Sequence, residues 1–161
     1  MRVTVGRMSQ VRRRFTSIGN RSGVWLYRRF DGRMSSFGKD VHVLLITAPG
    51  RRSGIPRSTC VRYLSVPEGT VVWGTGSGAK HDPDWFRNVR AAGAATVQVG
   101  ANVRHVQARE LTGDERDAVW NDVVLKQIPG VQRYAQKAQR TIPVALLVQG
   151  HQGNGGLVGR D

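Results

Sequence analysis

Between residues 41 and 74, three apolar, β-branched runs follow one another with only turn-length links. Val41 to Thr47 reads as a buried strand and Ser58 to Val66 as its hairpin partner, with Thr70 to Gly74 as a third strand after a Pro67–Gly69 turn. No link is long enough for the crossover that a parallel pair requires, so these strands must run antiparallel. A second hairpin, Ala95 to Val99 and Val103 to Leu111 across Gly100–Asn102, and a last strand, Ile142 to Gln149, extend the sheet. Pro143 puts the start of that last strand at an edge or a bulge. Helices are expected only between the later strands, and no βαβ alternation dominates. The pattern predicts a mainly β, α+β chain: a small antiparallel barrel with helices packed outside.

Two loops interrupt this pattern. The first runs from Pro49 through Gly50, Arg51, Arg52, Ser53 and Gly54 to Pro56 and Arg57. Glycines allow close backbone approach to a ligand, such a turn can form an anion-binding nest, and arginines add forked donors for phosphate or carboxylate. The plainer alternative is a solvated turn that happens to be basic, since the spacing matches no nucleotide fingerprint. The second loop, Gly74 to Asp84, contains Thr75, Gly76, Gly78, Lys80 and His81. Asp82 is placed to cap a helix whose first position is Pro83, and that helix continues through Trp85, Phe86 and Val89 to Gly93. A glycine-rich loop entering a helix is a second anion-friendly site. Further on, Thr112-Gly-Asp-Glu115 reads as a capping box for a helix with Val119/Val123 and Trp120/Val124 pairs, ending near Ile128-Pro129-Gly130. A last helical stretch, Val131 to Arg140, carries Tyr134.

The 161 residues carry a formal charge of +14, which calls for polyanionic company: nucleic acid, an anionic membrane or a highly charged cofactor. Arginines stand at 2, 7, 12, 13, 14, 21, 28, 29 and 33 against one acid, Asp31, so residues 1–37 form a basic arm. From Ser22 a short amphipathic helix with Val24, Trp25, Leu26, Tyr27 and Phe30 is expected. It could lie on an anionic membrane, bind nucleic acid, act as a transit-like leader, or simply pack on the domain. Residues 38–149 form the folded domain and 150–161 a glycine-rich flexible tail. A lone cysteine, Cys60, fits a reducing cytoplasm, and no apolar run is long enough to span a membrane.

Most catalytic chemistries find no support. His42, His81, His105 and His151 are scattered without metal-ligand spacing, so no metal site is expected. No serine sits in a nucleophile elbow, carboxylates are too dispersed for paired acid–base work, and Cys60 reads as a packed strand residue. What remains is binding chemistry. Trp73 and Trp85 flank the second loop, and aromatic walls with arginines suit a planar cofactor with a charged tail.

The segment Leu44 to Val148 resembles the deazaflavin-dependent nitroreductase family, a branch of the split β-barrel flavin- and deazaflavin-binding proteins. The resemblance rests on Gly50-Arg51-Arg52-Ser53-Gly54-Ile55-Pro56-Arg57, on Gly78 followed by Pro83-Asp84-Trp85-Phe86-Arg87-Asn88, and on Tyr134 to Pro143. It implies a split β-barrel that binds coenzyme F-420, a deazaflavin with a phospholactyl and polyglutamate tail. The implied reaction is hydride transfer from the reduced cofactor to a small electron-poor acceptor: a quinone, a nitroaromatic or an activated enoate. Carried over by position, Gly50, Arg51, Arg52, Ser53 and Arg57 hold the phosphate and tail, and Ser58 and Thr59 line the ring. Thr75, Gly78, Lys80 and His81 form the other wall of the tail groove, and Trp85 and Asn88 buttress it. Tyr134 is the implied proton donor or substrate contact; a second family tyrosine is replaced by Val131. The resemblance further implies a homodimer and, for the arm, contact with the inner face of the membrane. The competing readings are a non-catalytic carrier of F-420, FMN or haem, and a nucleic-acid-binding protein, the latter disfavoured because no recognition motif is present.

Overall fold

The computed structural model describes residues 42–150. The expected helix at 22–30, the basic arm and the tail beyond Gly150 lie outside the described residues. Six strands form a closed antiparallel barrel: β1 (Val43–Pro49), β2 (Pro56–Val66), β3 (Gly69–Trp73), β4 (Ala94–Val99), β5 (Asn102–Leu111) and β6 (Val144–Gln149). Their order around the barrel is β1-β2-β3-β6-β5-β4, closed by β1 against β4. Each short link predicted from sequence is a hairpin: β1 to β2, β2 to β3 and β4 to β5 are sequential antiparallel pairs. Closure leaves no open edge strand, which removes the hazard of unpaired backbone groups. Pro143 is therefore at neither an edge nor a bulge. It precedes β6, and its carbonyl accepts the Gly74 N–H at 3.0 Å.

Three helices fill the longer connections: α1 (Asp84–Ala92), α2 (Gly113–Ala118) and α3 (Gln132–Ala138). Alternation along the strands sends Leu44, Ile46 and Ala48 of β1, Val72 of β3, Val97 of β4, Val106 of β5 and Leu147 of β6 into one core. Phe86 and Val89 of α1 complete that core, so α1 seals the barrel rather than only decorating its outside. Residues of the opposite parity on β3, Val71 and Trp73, join Leu111, Trp120, Val124, Val131, Ile142 and Val144 in a second core beneath the α2–α3 connection. Trp73 is thus a packing residue and not a wall of the second loop.

Helix ends depart from the local signals. Asp82 does not cap α1; Pro83 occupies the N-cap, because the Asp82 carboxylate is taken by Arg140 and Arg90. Gly93 ends α1 in the left-handed conformation at φ 64°, as its position suggested. The capping box does not close either. Thr112 holds the N-cap backbone without a side-chain bond, and Glu115 pairs with Arg109 across two 2.7 Å hydrogen bonds. That pairing holds the Glu115 carboxyl below its ordinary range. After α2 the chain widens into π-helical turns over Val119–Leu125, with Trp120 and Val124 buried in the second core. The Arg116 guanidinium stacks 4.9 Å from the centre of the Trp120 ring.

Candidate functional site

The two unusual loops converge on the first turns of α1. The first is tied there by Arg51. Its backbone N–H and its Nη1 both donate to Asn88 Oδ1, at 3.1 and 3.0 Å, and its Nη2 reaches Asp84 Oδ1 at 3.0 Å. Asn88 is the buried polar residue of α1, and these bonds satisfy its carbonyl oxygen. Arg51 is therefore a neutralised strut between turn and helix, where the sequence reading placed it among the tail-holding arginines.

The turn spends its backbone donors on itself. Gly50 N–H bonds Ile55 O at 2.9 Å, and the N–H groups of Ser53 and Gly54 both bond Gly50 O. Ser53 Oγ accepts the Ile55 N–H at 3.3 Å. The expected nest of free amides is thus mostly occupied, and anion attraction falls to the side chains. Arg52 and Arg57 are exposed and engage no carboxylate among the described residues. On β2, Ser58 and Thr59 are half-buried, and Ser58 Oγ lies 2.7 Å from Thr47 Oγ1 on β1.

The second loop is held by a residue that sequence reasoning did not single out. Arg140 Nε donates to Ala79 O at 2.9 Å and its Nη2 to Gly74 O at 2.9 Å, while Nη1 bonds Asp82 Oδ1 at 2.8 Å. The other Asp82 oxygen takes Arg90 Nη2 at 2.8 Å, and Arg90 also pairs with Glu110 on β5. These two carboxylates, Glu110 first, raise the Arg90 pKa above its ordinary value against an opposing desolvation. Within the loop, Gly78 is buried at φ 81°, and a side chain there would meet the stem of Lys137 at 2.7 Å. Lys80 and His81 stand exposed, and Lys80 engages no carboxylate among the described residues. The sequence offered no local cue to Arg140 or Lys137, because their partners lie far away along the chain.

Trp85 is half-buried against the barrel core, its ring 5.2 Å from Phe86 in an edge-on arrangement. Tyr134 is half-buried on α3, which packs against the Gly76–Gly78 turn. Arg133 Nη2 donates to the Tyr134 hydroxyl at 3.0 Å. Among the described residues no three His, Cys, Asp or Glu side chains group as metal ligands, and no helix is long and apolar enough to cross a membrane.

This donor set suits an anionic, elongated ligand: exposed cations stand on two loops joined through one helix start, with a half-buried strand surface beside them. Relatives agree. A profile of the F420H(2)-dependent quinone reductase family matches residues 19–149. A Mycobacterium tuberculosis protein, provisionally named F420H(2)-dependent quinone reductase Rv3178, is 28% identical over 86 residues, 53% of this chain and 72% of that protein. The solved F420H(2)-dependent reductase FDR-A is 29% identical, with a TM-score of 0.57 over 65% of this chain and 92% of its own. A protein solved as a domain-swapped dimer is 26% identical, with a TM-score of 0.59 over 86% of this chain and 97% of its own. The haem storage protein HutZ from Vibrio cholerae, 11% identical at a TM-score of 0.50 over 70% of this chain and 84% of its own, shares the fold alone. With the whole of the barrel and its helices inside the matched span, the chain belongs to the F420H(2)-dependent quinone reductase family, an oxidoreductase family whose cofactor is reduced coenzyme F-420.

Proposed function

We propose that this chain transfers a hydride from reduced coenzyme F-420 to a small electron-poor acceptor, with a quinone as the first candidate and nitroaromatics or activated enoates as the others. The observation that carries the reading is the pairing pattern of charge. Asp82, Asp84, Glu110, Glu115 and Asp117 each engage an arginine, whereas Arg52, Arg57 and Lys80 face solvent on the two loops with no carboxylate partner among the described residues. An anionic phospholactyl and polyglutamate tail would neutralise those cations.

The bound deazaflavin supplies the hydride. The protein's part is orientation and charge control. Arg52 and Arg57 would hold the phosphate end, with Gly50 and Ser53 shaping their turn. Thr75, Gly78, Lys80 and His81 would flank the tail, and Ser58 and Thr59 would border the ring. Arg51 and Asn88, already bonded to each other, would act as buttresses beside Trp85. Tyr134 would donate a proton to the reduced acceptor or contact it, with the Arg133 guanidinium at its hydroxyl.

The test is a titration of the purified chain with coenzyme F-420, with FMN in parallel, followed by turnover of the reduced cofactor with a quinone panel. Saturable binding of F-420 with quinone-dependent oxidation supports the reading; binding of FMN alone, or of neither, overturns it. Arg57→Ala is expected to weaken F-420 binding by about 1–3 kcal/mol, the loss of one charge-assisted contact, and unchanged affinity removes Arg57 from the site.

The same reading places the chain in the cytoplasm as a homodimer, with the basic arm against the anionic inner membrane surface, where a lipid-soluble quinone would be at hand. Deleting residues 1–21 should leave F-420 affinity intact and reduce binding to anionic vesicles. Vesicle binding that survives the deletion means the arm is not the anchor.

A further inference from the structure

We propose that Arg140 is the positioning residue of the tail groove: it sets the shape of the Gly74–Asp82 loop from outside and thereby sets affinity for the cofactor's anionic tail. The loop cannot hold this shape by itself. Gly76, Ser77 and Gly78 follow one another at φ 54°, 55° and 81°, three consecutive left-handed residues, one of them not glycine. A non-glycine residue held there carries backbone strain that the surroundings must over-determine. Only two short loop bonds, Gly78 N–H to Thr75 O and Ala79 N–H to Gly76 O, act from within.

α3 packs on the Gly76–Gly78 turn, and the hydrogen-bonded restraint of the flanks on either side comes from one guanidinium. Besides Ala79 O, Gly74 O and the Asp82 carboxylate, Arg140 Nη2 reaches His81 O at 3.1 Å and Thr75 O at 3.3 Å. One planar fork thus gathers carbonyls from both ends of the loop, a task that lysine's single ammonium cannot reproduce. The restraint is itself anchored, because Asp82 passes through Arg90 to Glu110 on β5. All the donors of Arg140 are turned to protein oxygens. It is therefore a residue that acts through its neighbours, Thr75, Lys80 and His81, and not a tail contact.

The proposal rests on the reading that this loop flanks the tail. Wild type, Arg140→Lys and Asp82→Asn are titrated with coenzyme F-420 and with the same deazaflavin lacking its phospholactyl and glutamate tail. Arg140→Lys is expected to lose on the order of 10-fold or more in affinity for F-420 while its affinity for the tail-less compound stays within about 2-fold of wild type. Equal losses for both compounds, or none, overturn the proposal, since a general packing defect does not discriminate by tail. Should Arg140→Lys fail to fold, Asp82→Asn is read by the same comparison of the two compounds: it weakens the charged anchor of the guanidinium and leaves the carbonyl contacts in place, so a smaller loss, still confined to F-420, is expected, and equal losses or none overturn the proposal. If wild type binds no F-420, the functional reading fails; the restraint is then judged by hydrogen exchange, where Gly78 and Ala79 amides no faster in Arg140→Lys than in wild type overturn it.

Discussion

Phe86→Ala is expected to lower folding stability by about 3–5 kcal/mol, the range for emptying a buried aromatic site. Phe86 is 1% exposed and belongs to the barrel core, although it comes from a helix. Its ring meets Trp85 edge-on, lies 5.3 Å beneath the Arg90 guanidinium and approaches Gly74 so closely that a side chain there would sit 3.2 Å from Cδ2. Barrel strands on one side and the loop backbone on the other cannot collapse into the space without breaking hydrogen bonds. Urea unfolding provides the measurement, and a loss below about 1 kcal/mol would mean that α1 does not seal the barrel. Phe86→Leu retains most of the volume and should cost under about 1.5 kcal/mol. Because Arg51 and Asp82 tie both loops to α1, cofactor affinity should fall with stability in the alanine variant and be largely retained in the leucine one.

Gly69→Ala should cost about 2–4 kcal/mol through overpacking and backbone strain together. Gly69 opens β3 at φ 152°, and an added Cβ would land on the carbonyl oxygen of Leu147 in the neighbouring strand, with the carbonyl carbon at 3.3 Å. Relief would require opening the β3–β6 ladder next to the Thr70–Leu147 pair. No flexible side chain can yield there, because the obstacle is backbone. Gly130→Ala is the matched control. Nothing stands within 4 Å of its added Cβ, and its φ lies outside the left-handed range, so its unfolding midpoint should stay close to that of wild type. A Gly69 variant as stable as the Gly130 variant would mean that the ladder end can shift freely.

The barrel was legible because hairpins are local. Ser58 to Val66 follows Val41 to Thr47 across a turn too short for any other pairing, and the register aligns Thr47 with Ser58 and Ile46 with Thr59. Gly93 could be read as the end of α1 for the same reason, since left-handed closure is a property of one residue and its immediate neighbours. Signals that depended on a carboxylate staying at home failed. Asp82 and Glu115 each occupy a position from which they would cap a helix, yet each is claimed by an arginine, a bond in which both partners are charged where a cap has only the carboxylate's charge. The turn at Gly50 to Pro56 is tight and basic, as its glycines and arginines imply. That Arg51 faces Asn88 and Asp84, while Arg52 and Arg57 face solvent, depends on where α1 arrives.

The sequence by itself determined the antiparallel strand set, the two glycine- and cation-bearing loops, and the family pattern that names the cofactor. Each is written in residues close together or in motifs with a set order. Only the tertiary structure decided the order of the strands around the barrel, that α1 supplies part of its core, and that Trp73 is packed away from the second loop. It alone decided which cations are paired within the protein and which face solvent. Arg140 makes the point: its partners run from Gly74 to Asp82, and no local rule of spacing or propensity links an arginine to oxygens that only folding brings within hydrogen-bond reach.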